Sequence, residues 1–266
     1  MTVLLKLGSV IARTFSISGR ARLFEGRTIK KTRIIPMQNL IMLFISSLLW
    51  LVSPETNSGE NNWPAELNTA KDAVYLDKLE REVIYELNKV RSNPKRFAEE
   101  YMEELRTAFN GKLFTYPGQI TVRSQEGIRP LEECIKVLKA TSPRAILRPA
   151  EGLSKAAADL MEDQQKNGGT GHISRKGTNP QQRIEKYGEW DICSAEDITY
   201  GSFEARQIVI FLLIDDGVPN RGHRENILNH CFQFAGVANG RHPDYETMCV
   251  IDYAGDYKTK SADMKN

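Results

Sequence analysis

At 266 residues the chain exceeds one common domain length, so it is expected to hold one sizeable domain with additions or two small ones. Hydrophobic residues at 41%, charged at 26% and aromatic at 8% are ordinary globular usage, which excludes a largely disordered chain, a collagen-like fibre and a polytopic membrane protein; four cysteines are too few for a disulfide-built scaffold. The net charge of +2 is uneven: residues 1–58 hold eight Lys/Arg against Glu25 and Glu55, a local +6, and the remaining body is −4. A mildly acidic body argues against nucleic acid as a partner, since phosphate binding needs a basic face.

Residues 1–58 read as a targeting region. Leu40–Val52 (LIMLFISSLLWLV) is an uncharged apolar run preceded by Lys30, Lys31 and Arg33. As a helix it would rise about 20 Å, short of the roughly 30 Å hydrocarbon core, which suits a signal-peptide core better than a permanent span. Thr56-Asn57-Ser58 offers small residues for cleavage. The expectation is secretion; the membrane is a partner only if this segment stays uncleaved as an anchor. Residues 1–35, Arg-rich and nearly free of acid, also suit an organelle transit peptide, and a start at Met37 would leave a compact signal. Residues 59–75 read as a polar linker, 76–257 as the domain and 258–266 as a polar tail.

Within the domain, Leu76, Leu79, Val83, Leu87 and Val90 fall at helical spacing over 76–91. Asn93-Pro94 signals a second helix with Phe97, Ala98, Tyr101, Met102, Leu105 and Phe109 inward. Residues 110–126 read as loop with one short strand. A third helix is expected around Leu131–Leu138 and a fourth around Leu153–Met161, ended by Gly168-Gly169. Ser202 is the expected cap of a uniformly apolar helix running to Ile214. A short turn near Arg224–Leu228 precedes two β-rich runs, Phe232–Ala238 and Thr247–Tyr253, that form a hairpin. Helices early and strands late point to an α+β fold with a largely antiparallel sheet between helical layers.

Of four histidines, His172 and His223 sit beside turns with freedom to face a cleft, whereas His230 and His242 are expected at the surface. Asp215 and Asp216 end the apolar helix, where its dipole disfavours carboxylates by about 0.3–1 kcal/mol each, so a cation is expected near them: Arg221, Arg224, a protonated His or a metal ion. Glu196 lies between small and apolar residues, either paired with a buried cation or facing solvent. Two His and two or three carboxylates are ligand types for Zn²⁺ or a related divalent cation, though they lack the local spacing of H-E-x-x-H. The chain carries no G-x-S-x-G elbow, P-loop or G-x-G-x-x-G after a strand. Cys134, Cys193, Cys231 and Cys249 lie in settings that suggest burial. A direct Cys231–Cys249 bridge would force Pro243 into a strand, so their pairing stays open.

The ordered segments GTGHIS ending at Ser174, SAEDITYG (194–201), LLIDDGVPNRGHRENILN (212–229) and FAGVANG…MCVIDYAG (234–255) resemble a CAP (SCP) domain. This superfamily includes cysteine-rich secretory proteins, venom allergens and plant pathogenesis-related proteins. Asn88-Lys89-Val90-Arg91-Ser92-Asn93-Pro94 is similar to the N-x-x-R-x-x-P pattern of its microbial branch. The resemblance implies an α-β-α sandwich whose cleft carries two His and two acids able to hold a divalent cation. By motif these are His172, Glu196 and His223, with Asp216 or Asp215 in place of a family Glu. Ala195-Glu196-Asp197-Ile198 departs from the family's G-E-N pattern at Gly and Asn but keeps the Glu. The implied function is a secreted binding protein with a divalent cation, zinc first, and a lipid, sterol or peptide partner. A metal-dependent hydrolase using the same cleft, or a tetrad that only ties loops together, are the alternatives; enzymatic activity stays open.

Overall fold

The computed structural model describes residues 62–260; the apolar run 40–52, the rest of the targeting region and residues 261–266 lie outside the described residues. The chain enters the domain earlier than a linker over 59–75 allows. Trp63, Leu67 and Ala70 are buried in the main core, and Trp63 Nε1 donates to Glu100 Oε2 (3.0 Å) and to the Tyr101 hydroxyl (2.9 Å).

Helix α1 (Lys78–Ser92) starts at a capping box in which Asp77 and Glu80 bond each other's backbone amides, and it buries Val83, Ile84, Leu87 and Val90. Asn93 caps α2 (Pro94–Phe97) with proline at its first position. The expected single helix does not continue: it loosens into a π turn (Ala98–Met102) and a 3₁₀ turn (Glu104–Ala108), while Phe97, Ala98, Tyr101, Met102 and Leu105 still face inward. Three short strands follow, β1 (Phe109–Asn110), β2 (Leu113–Thr115) and β3 (Thr121–Arg123), forming a small antiparallel sheet where one strand was expected. Then come α3 (Arg129–Ala140), β4 (Arg148–Pro149), α4 (Glu151–Asn167), α5 (Pro180–Tyr187) and β5 (Gly188–Tyr200). The apolar helix α6 (Ala205–Ile214), α7 (Gly222–Leu228) and the hairpin β6 (Phe234–His242) and β7 (Glu246–Thr259) complete the order. Glu204, not Ser202, precedes α6, and β7 runs two residues into the expected tail.

The main sheet has the order β4–β6–β7–β5, antiparallel except for the β4–β6 pair, with β5 at a free edge. Helices α4 and α5 pack Leu153, Ala157, Leu160 and Ile184 against Ile198, Val250 and Ala254 on one face. The other face, with Val237, Ile251 and Tyr253, joins α1 and α6 in the largest core cluster. Contact between α4 and β6 is close enough that a Cβ on Gly236 would lie 2.1 Å from the Ser154 amide nitrogen. The α+β class and the α-β-α sandwich therefore both hold. A disulfide joins Cys193 to Cys231, and Cys134 and Cys249 are buried free thiols.

Two polar residues on the buried face of α1 fasten the layers. Asn88 bonds the carbonyls of Leu67 and Leu147 and accepts from the Leu147 amide (2.7 Å). Arg91, fully buried, donates to the carbonyls of Ala145, Ile227, Asn229 and Phe232 at 2.7–2.9 Å. Burial lowers its pKa to about 10, so it stays charged at neutral pH, with carbonyl dipoles in place of a counterion. Replacing Arg91 with Met would leave those carbonyls unsatisfied. Arg91→Met is expected to destabilise the domain by about 3 kcal/mol in urea denaturation, and a loss well below about 1 kcal/mol would show the carbonyls finding other donors.

Candidate functional site

Side chains on a strand alternate between faces, so the consecutive acids Glu196 and Asp197 on edge strand β5 point into different helical layers. Glu196 stands opposite Asp252 of β7 and faces α4 and α5; Asp197 stands opposite Ile251 and faces α6 and α7. Each layer brings one histidine to this edge.

On the first face, α4 stops at Gly168 (φ 67°), and the following loop is tied back by Gln164 Nε2 to the Gly171 carbonyl (2.7 Å) and by the Gly171 amide to the Tyr200 hydroxyl (3.0 Å). His172 then places Nδ1 2.8 Å from Glu196 Oε1. The other oxygen of Glu196 accepts from Arg183 Nη2 at 2.5 Å, and Arg183 also donates to the carbonyls of His172 and Thr178. Both members of that ion pair are buried, 2% and 1% exposed at the side chain. Arg183 belongs to α5, an element the sequence reading passed over although Asn179-Pro180 repeats the cap signature of Asn93-Pro94.

On the second face, Asp215 ends α6 in the left-handed region (φ 57°). Its Oδ2 accepts from the His223 amide (3.0 Å) and its Oδ1 lies 2.7 Å from His223 Nδ1. The expected cations compensate the end of α6 through its carbonyls: Arg224 donates to Leu213 and Ile214, and Arg221 to Asp215. Burial opposes a charged His223, but the bond to Asp215 and the charge of Asp197 outweigh it and raise the His223 pKa. Asp197, fully buried, accepts from Asn226 Nδ2 (2.7 Å); burial raises its pKa to about 6 against the pull of His223 and Asn226.

His172, Glu196 and His223 line one cleft of about 610 Å³, with Asn179, Ser194 and Asn226 on its walls. Four of the five candidate residues thus gather at the β5 edge: these three, and Asp215 behind His223. Asp216 does not join them. It turns away and accepts from the amides of Gln125 (2.6 Å) and Glu126 (2.9 Å), fastening the loop before α3. The left-handed backbone at Asp215 divides the two acids. Outside the cleft, His230 is exposed as expected, but His242 is buried, its Nε2 2.7 Å from the Gly169 carbonyl.

The donor set limits what the cleft can hold. All four carboxylate oxygens of Glu196 and Asp215 have partners, which leaves Nε2 as the available ring nitrogen on each histidine. Among the described residues no group of three or more His, Cys, Asp or Glu is placed to hold a metal ion. Two imidazoles fit a divalent cation of the zinc type only if water or a ligand supplies the remaining donors, since catalytic zinc sites use three protein ligands and structural sites four.

An α-β-α sandwich with a histidine–carboxylate pair on either side of its edge strand defines a cleft-bearing domain. The chain belongs to the cysteine-rich secretory protein family, CAP, which it matches over residues 84–253. It is similar to an outer surface protein from Borrelia burgdorferi, at 21% identity over 50% of this chain and 88% of that one, TM-score 0.35. An extracellular SCP-domain protein from Bacillus anthracis matches at 17% identity over 47% of this chain and 37% of its own, TM-score 0.33. A cysteine-rich secretory protein from Staphylococcus aureus matches at 11% identity over 54% and 44%, TM-score 0.30. At these scores none of the three informs the site, and comparison with curated proteins finds no match.

The raised pKa of His223 makes the His223–Asp215 contact a source of stability that is complete below the ordinary value of 6.5 and is lost as pH rises through the folded value. The stability gap between the wild type and His223→Gln, measured by denaturation, is expected to be widest below pH 6.5 and to narrow on alkalinisation; a gap that widens would contradict this pairing. Asp215→Asn is expected to lower the His223 pKa in an NMR titration.

Proposed function

We propose that the protein is an extracellular binding protein whose cleft holds a divalent cation, zinc first, between His172 and His223. The observation that carries this reading is the matched anchoring of the two imidazoles that line the cleft. Each has Nδ1 held by a buried carboxylate, at 2.8 Å for Glu196 and 2.7 Å for Asp215. That arrangement fixes the ring orientation and the tautomer with Nε2 unprotonated, as carboxylates do behind metal-binding histidines. A bound cation would supply positive charge and open coordination positions there. Glu196 and Asp215 then orient the histidines and are not ligands themselves.

The polar lining favours a peptide partner over a lipid or sterol. Besides the two histidines, Asn179, Gln181, Asn220 and Asn226 present amides able to bond a peptide backbone, while Ile173 offers one exposed apolar contact. Ser194 is the one hydroxyl side chain on the cleft wall, and it makes no hydrogen bond to either imidazole, so it is not paired as a His-activated nucleophile. An extracellular setting is supported by the Cys193–Cys231 disulfide, since such bonds persist in oxidising compartments, and by the apolar run 40–52. No helix among the described residues is long and apolar enough to cross a membrane.

Calorimetry with zinc alone tests the reading. The wild type is expected to take up one ion per chain, and the double variant His172→Ala/His223→Ala to take up none. Glu196→Gln or Asp215→Asn should weaken binding about 10–100-fold. Unchanged uptake by the double variant would overturn the assignment, and chelator-sensitive turnover of peptide substrates would make the cleft hydrolytic.

A further inference from the structure

The centre strand β7 is apolar from Met248 to Ala254 with one exception, Asp252, whose exposure is 0%. Its cross-strand neighbours are Gly236 on β6, which offers no side chain, and Glu196 on β5. Residues directly opposite in an antiparallel pair have Cβ atoms about 5 Å apart on the same face, where like charges repel. Neither oxygen of Asp252 has a hydrogen-bond partner. The α4 residues packed on this face are mainly apolar, Leu153, Ala157 and Leu160; the buried Ser154 hydroxyl beside Gly236 is bonded to the Ala150 carbonyl and the Val237 amide. The charged or titratable groups around Asp252 are Glu196 and Asp197 of β5, Arg183 of α5 and Tyr257 farther along β7.

Charge balance decides the protonation state. One guanidinium, Arg183, serves two acids at a place closed to water, and its Nη2 is engaged by Glu196. A second buried carboxylate without a donor would carry an uncompensated charge, which costs far more than taking up a proton. We propose that Asp252 is a neutral carboxylic acid that donates its proton in a hydrogen bond to Glu196, and so positions the carboxylate that orients His172. Two ionised acids facing each other can only accept, which is how Asp252 comes to lack a partner; one proton between them supplies the missing donor. Glu196 then accepts from three sides, from His172, Arg183 and Asp252, and is fixed in the rotamer that meets the imidazole. Burial and the charge of Glu196 both hold the Asp252 pKa well above the ordinary carboxyl value.

The proposal rests on the cleft reading for what His172 goes on to hold, but its test needs no cation. In metal-free protein at neutral pH the ¹³Cγ shift of Asp252 should be that of a protonated acid, and the His172 ¹⁵N shifts should report Nδ1–H. Asp252→Asn, which keeps a donor toward Glu196, should preserve that tautomer; Asp252→Val should lose it and mix the two forms. A carboxylate shift at Asp252 in the wild type would overturn the proposal even if the valine variant fails to fold, as would an unchanged His172 tautomer in a folded valine variant. Zinc calorimetry on the wild type keeps the two readings apart: a protonated-acid carbon shift at Asp252 with no zinc uptake would leave the positioning role and remove the cation.

Discussion

The two-residue period of a β-strand is the constraint on which the site depends. Glu196 and Asp197 are neighbours in the chain, yet β5 aims them into different helical layers. Because β5 is the edge of the sheet, those layers meet there with no further strand between them, and each can bring a histidine to the same opening. A one-residue slip of β5 on β7 would exchange the two acids and break the Glu196 contacts to His172 and Arg183. The disulfide from Cys193, beside the irregularity between Asp191 and Ser194, ties this strand to the segment after α7.

Buried charge around the edge is balanced locally. Glu196 meets Arg183, Asp215 meets His223, and the inner acids Asp197 and Asp252 have pKa values raised by burial. Arg91 solves the converse problem with carbonyls in place of an acid. The segments it holds, 145 and 227–232, lead into β4 and run from the last turn of α7 into the loop after it. The N-x-x-R pattern of α1 is thus a fastening between layers that positions the α7 wall of the cleft.

Much of this was legible in the sequence where periodicity is strong. Helices α1, α3, α4 and α6 and the β6–β7 hairpin fall where apolar spacing and turn residues put them. Strand β5 escaped because Glu189, Asp191, Glu196 and Asp197 interrupt any alternating pattern; the buried pair, Glu196 and Asp197, is satisfied by tertiary contacts that local reading cannot see. His172, Glu196 and His223 were found as residues beside turns or in family motifs, and the structure brings them together. The choice between Asp215 and Asp216 turned on one left-handed backbone angle, φ 57° at Asp215, invisible in a run of two identical residues. His242 was misplaced for a similar reason: its partner is a carbonyl 73 residues away.

The most direct measurement is the anomalous scattering of a crystal grown with zinc. The account places one peak within coordinating distance of Nε2 of both His172 and His223, with no oxygen of Glu196 or Asp215 among the ligands. A peak ligated by those carboxylates, or none in the cleft at saturating zinc, would contradict it.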